Sequence, residues 1–446
     1  MKFTELGLNS ALLRAIEDEG YTDPTQIQAE AIPVVMAGRD VMAGAQTGTG
    51  KTAAFTLPLL QLLLIHANTS FSPARHPVRA LILVPTRELA VQVEESVRAY
   101  GRHVALRSTT VYGGMDMQGQ TDTLRRGVEI LVATPGRLLD HVGQKNVNLG
   151  TTEILILDEA DRMLDMGFMP DIRRIIDLLP KERQNLLFSA TFPDEVKKLA
   201  NAILTDPVTI QVAKRNSTAE TITQSIYRVP SAKKRELLME ILKRKADTQA
   251  IVFTNTKTGA SRLARELEKS GLAASAIHSD KSQQERLQTL SDFKTGSVKV
   301  LVATDIAARG LDVEDLPFVI NYDIPFAAED YIHRVGRTGR AGSEGTAISL
   351  MSPDEERLVA DIEKLVKRSI ERLDYRPAPA EREHVRVREP VNQPARDVSS
   401  RSALLSYEER NRAAHATQER MVSSRPAPRK EIAALLGGLK KASPST

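Results

Sequence analysis

Cysteine does not occur in this 446-residue chain, so disulfide bonds and thiolate-bound metal sites are excluded. Long apolar runs are missing too: the longest, near residues 57–65, is too short to cross a bilayer. The first residues lack the apolar core of a secretory signal peptide. Together these absences favour a reducing, cytoplasmic location and predict no membrane partner.

A large charge excess is missing from most of the chain. Its 61 Lys and Arg residues and 57 Asp and Glu residues leave a net charge of +4. Residues 377–446 hold 13 of the basic and 8 of the acidic residues, a local balance of +5, so the remainder is nearly neutral. This segment has few large apolar residues, which predicts a largely disordered basic tail. On charge alone, the tail fits either nucleic-acid binding or a solvated solubility segment.

Elsewhere, apolar runs alternate with helical patterns in two stretches. The runs are continuously apolar, as in parallel strands buried on both faces. A polar segment at residues 214–220 separates the stretches and is predicted to be a linker. We therefore predict an α/β fold with domains at residues 1–213 and 221–376, followed by the tail at 377–446. The predicted strands lie at residues 80–84, 130–133, 154–157 and 185–188, and at 250–253, 298–302, 318–320 and 346–349.

Between a short apolar run and a helical pattern lies the segment Ala45-Gln46-Thr47-Gly48-Thr49-Gly50-Lys51-Thr52. A strand, a glycine-rich turn and a helix in this order are typical of a phosphate-binding loop. Glycines let backbone amides turn towards an anion, and the helix N-terminus adds partial positive charge. Lys51 is predicted to reach the outer phosphates of a nucleotide, and the Thr52 hydroxyl to bind magnesium. The alternative interpretation is a flexible turn.

Two polar clusters directly follow predicted strands. Asp158-Glu159-Ala160-Asp161 comes after the run at 154–157, and ligands of open α/β sheets sit beyond the carboxyl ends of strands. Asp158 is predicted to hold magnesium through water, and Glu159 to orient or deprotonate the attacking water. An acidic start of a helix is the alternative. Ser189-Ala190-Thr191 either bonds back to this cluster, coupling hydrolysis to movement, or caps a strand end.

Two further segments carry side chains suited to a nucleotide. The Gln28 amide can pair with N6 and N7 of adenine and Tyr21 can stack on the base, although a helix capped by Thr25 explains the same pattern. In residues 333–340, arginines recur at three-residue intervals, and a guanidinium suits phosphate oxygens. Across a cleft from a phosphate loop, a pair of them would act as arginine fingers; a salt-bridged surface is the alternative. Residues 302–312 follow another strand and form a candidate second contact loop.

In this order, the segments at residues 45–52, 158–161, 189–191 and 333–340 resemble the motifs of the DEAD-box ATP-dependent RNA helicases. Overall similarity favours the bacterial RhlE-like branch, over about residues 1–372. The resemblance implies two tandem RecA-like domains that bind ATP, Mg²⁺ and RNA across a shared cleft. His278-Ser279-Asp280 departs from the His-Gly-Asp that the family often has, which concerns only the local turn. The tail matches no recognised domain and lacks Arg-Gly-Gly repeats.

The resemblance also implies roles for individual residues. Gln28 matches the adenine-reading glutamine, Tyr21 and Phe3 the aromatic residues of the same site, and Asp305 a ribose contact. The implied catalytic residues are Lys51, Asp158, Glu159, Arg337 and Arg340, with Thr52 and Asp158 on the magnesium ion. The implied coupling residues are Asp161, Ser189, Thr191 and His333. The implied RNA contacts are Pro85, Thr86, Arg87, Gly113, Gly114, Thr134, Arg137, Gln283, Arg286 and Thr304. Beside Gln283, Ser282 and Glu285 also form a capping-box pattern.

The function expected from this resemblance is that of an ATP-dependent RNA helicase. Two lobes close on ATP and single-stranded RNA, the bound strand bends so that a short duplex is disrupted, and hydrolysis reopens the cleft. Contacts to phosphates and 2′-hydroxyls favour RNA over DNA without reading sequence. A role in ribosome assembly or RNA decay is consistent with the branch, with the tail binding a ribosomal precursor or a decay complex. An ATP-gated RNA clamp or assembly scaffold and a DNA translocase are the alternatives.

Overall fold

The computed structural model describes residues 1–45, 49–211, 222–245, 248–308, 311, 313, 316–339 and 345–375. The predicted site residues Gln46, Thr47, Gly48 and Arg340 lie outside these ranges, as do the predicted linker and tail. Within the ranges, the chain forms two sheets of seven parallel strands, both in one compact unit. Parallel strands need crossover connections, and most of these contain a helix.

The first sheet is built from residues 41–211. Its strands are β1 (Val41–Gly44), β2 (Ala80–Leu83), β3 (Ser108–Val111), β4 (Ile130–Ala133), β5 (Ile154–Leu157), β6 (Gln184–Ser189) and β7 (Val208–Gln211). Their order in space is β3-β4-β2-β5-β6-β1-β7. The helices of this part are α1 (Ser10–Asp18), α2 (Gln26–Met36), α3 (Lys51–Leu63), α4 (Arg87–Tyr100), α5 (Met117–Arg125), α6 (Pro135–Gly143), α7 (Ala160–Asp165), α8 (Met169–Ile176) and α9 (Asp194–Ile203), with 3-10 turns at Phe3–Leu6, Leu64–His66 and Pro73–Arg75.

The second sheet is built from residues 222–374 and has the same kind of architecture. Its strands are β8 (Ile222–Arg228), β9 (Ala250–Phe253), β10 (Ala274–Ile277), β11 (Val300–Ala303), β12 (Phe318–Asn321), β13 (Gly345–Met351) and β14 (Glu371–Asp374). Their order in space is β10-β11-β9-β12-β13-β8-β14. Its helices are α10 (Lys234–Arg244), α11 (Lys257–Lys269), α12 (Gln283–Lys294), α13 (Asp305–Ala308), α14 (Ala328–Val335) and α15 (Glu356–Val366), with 3-10 turns at Ser231–Lys233 and Pro353–Glu355.

The central strands are apolar along their whole length because helices cover both faces of each sheet. Ile82 of β2 lies in register with Val132 and Ile156, and all three belong to one core layer. One residue earlier, Leu81 and Leu131 point to the opposite face and belong to the other layer. Alternate residues of a strand point to opposite faces, so an uninterrupted apolar run supplies two cores at once.

The two parallel sheets confirm the predicted α/β fold with two domains, and every predicted strand overlaps an observed one. The domain boundaries at residues 213 and 221 stay a prediction. Strands β3, β7, β8, β10 and β14 were not predicted. Among the described residues, no helix has the length and hydropathy needed to cross a membrane.

Candidate functional site

A cavity of about 430 Å³ lies where the carboxyl ends of the first sheet face the second domain. The phosphate-loop residues Gly50, Lys51 and Thr52 line it from one side, with Asp158 and Glu159. The second domain contributes Leu311 and Arg337 to the same cavity. Residues implied to bind one nucleotide therefore converge on one space, although they come from both domains.

Lys51 is buried in the wall of this cavity, and its ammonium group has no hydrogen-bond partner in the part of the chain that the structure describes. It is the first residue of α3 and is 6% exposed. Its Nζ has no hydrogen-bond partner among the described residues. A buried ammonium group without an acceptor is unfavourable, and phosphate oxygens would supply acceptors. The lysine therefore fits the nucleotide that the sequence predicts.

Gly50, the residue before α3, has a left-handed backbone with a φ of 87°. A side chain there would also collide with the Gln28 amide. Gln28 is 6% exposed; its Nε2 donates to the Gly50 carbonyl at 3.2 Å and its Oε1 accepts from the Thr25 backbone N–H at 2.9 Å. The glutamine thus connects the start of α2 to the phosphate loop, as the helix-capping interpretation predicts, and its role towards adenine stays a prediction.

The aromatic residues implied for the same site, Phe3 and Tyr21, both line the cavity. Phe3 is 4% exposed and packs in the core, whereas Tyr21 is 48% exposed, with its ring centroid 6.3 Å from that of Tyr100. Tyr21 thus has a free face for a base, and Phe3 forms part of the wall.

Asp158 and Glu159 follow β5 and have different surroundings. Asp158 is 3% exposed, and burial raises its pKa to about 6, against the opposing effect of the nearby Lys51 ammonium. Glu159 adopts a left-handed backbone conformation with a φ of 55°, which is rare for a residue with a side chain. Its carboxylate forms an ion pair with Arg162, which also lines the cavity. Sequence reasoning did not single out Arg162, although its three-residue spacing from Glu159 on a helix was a signal for this pair.

Magnesium is implied at Thr52 and Asp158. The described residues contain no group of three or more His, Cys, Asp or Glu side chains able to hold a metal by themselves. This donor set suits magnesium, which keeps several waters and binds through one or two carboxylates plus nucleotide phosphates. A bound cation would also favour the ionised form of the Asp158 carboxyl.

Ser189 and Thr191 contact the acidic cluster. Asp161 accepts hydrogen bonds from the Thr191 backbone N–H and hydroxyl, both at 2.8 Å, and its own N–H donates to Ser189 Oγ at 3.1 Å. Ser189 Oγ donates to the Thr191 carbonyl at 2.7 Å. The predicted hydrogen bonds between the two clusters are thus present, and the coupling role itself stays a prediction.

The second domain places its arginines in two distinct environments. Arg337 is 6% exposed, lines the nucleotide cavity and donates to the Leu311 carbonyl at 2.9 Å. Arg334 is 1% exposed and makes five hydrogen bonds to protein acceptors. Two of these, both 2.6 Å, hold the Asp305 carboxylate. A ribose contact by Asp305 would therefore involve a carboxylate that is already fixed by Arg334. His333 lies beside these residues, along a small cleft.

The RNA contacts implied for the first domain lie beyond the carboxyl ends of β2, β3 and β4. Pro85 and Thr86 follow β2, and Thr86 caps α4 by accepting from the Leu89 N–H at 3.3 Å. The exposed Arg87 guanidinium packs beside Gly113 and Gly114, which follow β3. Beyond β4, Thr134 immediately precedes α6, and Arg137 donates to the Met115 carbonyl at 3.1 Å. Each residue type is suited to a phosphate backbone, and the RNA role stays a prediction.

Two second-domain residues implied to contact RNA, Gln283 and Arg286, bind a residue of the first domain in this structure. Gln283 Nε2 and Arg286 Nε both donate to Glu88 Oε1 at 2.9 Å. Glu88 is 3% exposed and lies at the start of α4, next to Arg87. The sequence resemblance includes Glu88 in the stretch of first-domain RNA contacts at residues 85–90 but does not predict its contacts with Gln283 and Arg286, because a contact over almost 200 residues leaves no local pattern. Thr304 directly precedes α13, and its carbonyl accepts from the Ala308 N–H at 2.9 Å.

Comparison with known proteins identifies the class. Residues 25–199 match the DEAD/DEAH box helicase family, and residues 233–342 match the helicase conserved C-terminal domain. The RNA helicase RhpA of Helicobacter pylori is 42% identical over 369 residues, covering 83% of this chain and 73% of that protein. CshA of Bacillus cereus is 43% identical over 372 residues, covering 83% of this chain and 69% of that protein. The chain belongs to the DEAD-box ATP-dependent RNA helicases.

Solved structures agree with this class. S. cerevisiae Dbp5 bound to RNA and ADP BeF3 superposes with a TM-score of 0.71 at 33% identity, covering 83% of this chain and 95% of that one. Mss116p bound to ssRNA and AMP-PNP gives a TM-score of 0.74 at 29% identity, covering 84% of this chain and 79% of that one. The two sheets are therefore tandem RecA-like domains, as predicted, and the protein is an RNA-stimulated ATPase and RNA helicase. Its place in the RhlE-like branch stays a prediction.

Proposed function

We propose that the two domains close on ATP, Mg²⁺ and single-stranded RNA, disrupt short RNA duplexes locally, and reopen when ATP is hydrolysed. The observation that carries this proposal is the shared cavity. Lys51 and Glu159 of the first domain line the same space of about 430 Å³ as Arg337 of the second. Since both domains supply residues, the complete site depends on their arrangement, and loss of the γ-phosphate removes a shared ligand.

In this mechanism, most of the chemistry is positioning and charge stabilisation. Lys51 binds the outer phosphates, and Thr52 and Asp158 hold Mg²⁺, which neutralises charge on the phosphates when bound. Glu159 orients the attacking water once its carboxylate is no longer occupied by Arg162. Arg337 stabilises the charge that develops on the transferred group, together with Arg340.

Two sets of contacts connect the nucleotide to RNA. The hydrogen bonds of Asp161 with Ser189 and Thr191 join the end of β5 to the end of β6. A displacement of the backbone beside Glu159 would therefore also move the loop that follows β6. Glu88 with Gln283 and Arg286 joins the RNA-side ends of the two domains. We infer that Glu88 holds the second-domain residues in place for RNA binding when the domains are closed.

RNA is the proposed substrate class, because the relatives are RNA helicases and two structural neighbours hold RNA. The proposed grip on phosphates and 2′-hydroxyls gives no sequence preference. The proposed cellular setting is ribosome assembly or RNA decay in the cytoplasm. It rests on the branch resemblance, with the basic tail at 377–446 as a contact to a ribosomal precursor or a decay complex.

Steady-state ATP turnover tests this function. We would compare no nucleic acid, single-stranded RNA and single-stranded DNA of the same sequence, with Glu159→Gln as the catalytic blank. Stimulation by RNA alone, with unwinding of a short RNA duplex, supports the helicase. Equal stimulation by DNA would contradict it in favour of a translocase, and RNA retention without unwinding would favour an ATP-gated clamp.

A further inference from the structure

A second surface of the first domain lies at the opposite edge of its sheet, where β2, β3 and β4 begin. Residues 67–79 connect α3 to β2 there and present Phe71, which is 95% exposed. Among the described residues, no other large apolar side chain is as exposed. Single exposed apolar residues are normal on protein surfaces, so the surroundings of Phe71 decide whether it is informative.

The segment that carries Phe71 is held by buried hydrogen bonds of His76 and Glu129. His76 is 1% exposed and Glu129 is fully buried; His76 Nδ1 lies 2.5 Å from Glu129 Oε1, and His76 Nε2 lies 2.7 Å from the Ser70 carbonyl. Glu129 Oε2 also accepts from the Arg107 backbone N–H at 2.9 Å. Each polar atom of these two buried side chains therefore has a hydrogen-bond partner, as buried polar groups require.

Further contacts fix the same segment against the turn at residues 126–129. Arg107 donates through Nη2 to the Ser70 carbonyl at 2.6 Å and through Nη1 to the Arg126 carbonyl at 3.0 Å. Gly127 has a φ of 80°, and a Cβ there would lie 2.7 Å from the Pro73 carbonyl oxygen, so the two segments approach closely. Phe71 is therefore presented to solvent by a segment with a fixed position.

Exposed positive charge predominates in the two segments that surround Phe71. Arg75, Arg125 and Arg126 are exposed in or beside them. In residues 67–79 and 126–129, all of which the structure describes, the only carboxylate belongs to Glu129, and it is buried against His76. The neighbouring Glu153 carboxylate is partly exposed but is paired with Arg79 and His66. An exposed aromatic ring on a segment that carries exposed arginines has the chemistry of a single-stranded nucleic-acid contact.

We propose that Phe71, Arg75, Arg125 and Arg126 form an auxiliary RNA-binding surface. An unpaired base stacks on the Phe71 ring, and the arginines bind the flanking phosphates. The surface is separated from the RNA contacts at the carboxyl ends of β2, β3 and β4 by strands about 13 Å long. It therefore holds RNA that extends beyond the core site, and it goes beyond the proposed helicase function. It would favour long or structured RNAs over short ones.

The test uses the full-length protein with a non-hydrolysable ATP analogue. Equilibrium affinity is measured for a short single-stranded RNA that fills only the core site and for a longer one with an unpaired extension. The variants are Phe71→Ala and the double variant Arg125→Gln, Arg126→Gln. Ile65→Ala is the matched control, because Ile65 is 84% exposed on the same domain but lies outside the two segments.

We expect Phe71→Ala to weaken binding of the long RNA about tenfold, which is the loss of one stacked base. The arginine variant should weaken it too and make affinity less dependent on salt, because fewer phosphates are neutralised. In both variants, affinity for the short RNA and RNA-stimulated turnover should match the wild type. The Ile65→Ala control should match the wild type in every measurement.

Wild-type affinity for the long RNA in both variants would overturn the proposal. It would also be overturned if Phe71→Ala changed only the molar mass of the protein in solution, since the surface would then be a contact between copies of the chain. Failure of the short RNA to stimulate wild-type turnover would instead count against the proposed function. The two proposals therefore fail separately.

Discussion

Two buried cations at the carboxyl edges of the sheets, Lys51 in the first domain and Arg334 in the second, have opposite surroundings. Lys51 Nζ finds no acceptor among the described residues, whereas Arg334 makes five hydrogen bonds, two of them to Asp305. The Arg334 guanidinium also lies 5.1 Å from the Phe253 ring centroid. A buried charge needs partners, so Lys51 is the group prepared for a ligand and Arg334 is part of the framework. Burial alone does not distinguish the two roles, but hydrogen-bond satisfaction does.

Replacing Arg334 gives the largest expected effect on stability. Arg334→Met leaves the Asp305 carboxylate without its partner, so the free energy of unfolding of the second domain should fall by about 3–5 kcal/mol. Urea denaturation of the nucleotide-free protein measures this. Arg262→Gln is the control, because that side chain is 82% exposed and should change stability by less than about 0.5 kcal/mol. Equal midpoints for the two variants would show that Arg334 is not part of the framework.

Replacing Lys51 should reduce activity strongly and leave stability nearly unchanged. Lys51→Met removes a positive charge from the site of phosphoryl transfer, so kcat/KM for ATP should fall about 10²–10³-fold. Stability should change by less than about 1 kcal/mol, because the Lys51 ammonium makes no hydrogen bond to the described residues. Turnover assays and urea denaturation on the same sample provide both numbers. Destabilisation as large as that of Arg334→Met would contradict the distinction between the two cations.

Glu88 is a third buried charge, and its partners belong to the other domain. Glu88→Gln should lower RNA-stimulated turnover about tenfold, because it removes the charge of the buried group that Arg286 contacts. The single variants Glu88→Arg and Arg286→Glu should each lower turnover as well, and the double variant should recover part of their combined loss, with a coupling energy of about 1 kcal/mol. Strictly additive losses in turnover would show that the two side chains act independently.

Asp158 is expected to affect mainly the pH dependence of stability. Its pKa is raised by burial to about 6, from a usual value of 3.8, so the protonated carboxyl is favoured by folding. The stabilisation from that proton is complete below pH 3.8 and is lost as the pH rises through about 6. Without nucleotide, Asp158→Asn should therefore stabilise the protein by about 1–3 kcal/mol at pH 8 and by roughly half as much at pH 5. If the stabilisation by Asp158→Asn did not increase with pH, it would not come from the raised pKa of the Asp158 carboxyl.

The sequence predicts the parts of the fold that are buried on both faces. Strands such as β2, β4 and β5 are uninterrupted apolar runs, so their positions can be recognised from residue type alone. The edge strands β3 and β10 are half-buried and rich in Ser, Thr and Ala, so they resemble loops. The apolar content of a strand reports how much of it is covered, and sheet edges are covered least.

At the site, contacts within or between recognisable motifs were predictable, and contacts of residues without such a pattern were not. The Ser282–Glu285 capping box and the hydrogen bonds from Thr191 to Asp161 were predicted and are present. The Glu88–Gln283 contact joins residues 195 positions apart, and no periodicity links them. Arg334 was one of three similar arginines in the sequence, and only the structure shows that it holds Asp305.

We propose above that ATP and RNA together bring both domains to one catalytic site. Because the natural chain has no cysteine, one cysteine introduced on an exposed position of each domain can carry a donor and an acceptor dye. Energy transfer should then be measured with no ligand, ATP analogue, RNA, and both. We expect a high-transfer state that is well populated only with both ligands, and much less so when Arg337 is replaced by Ala. The same transfer efficiency in all four conditions would contradict it.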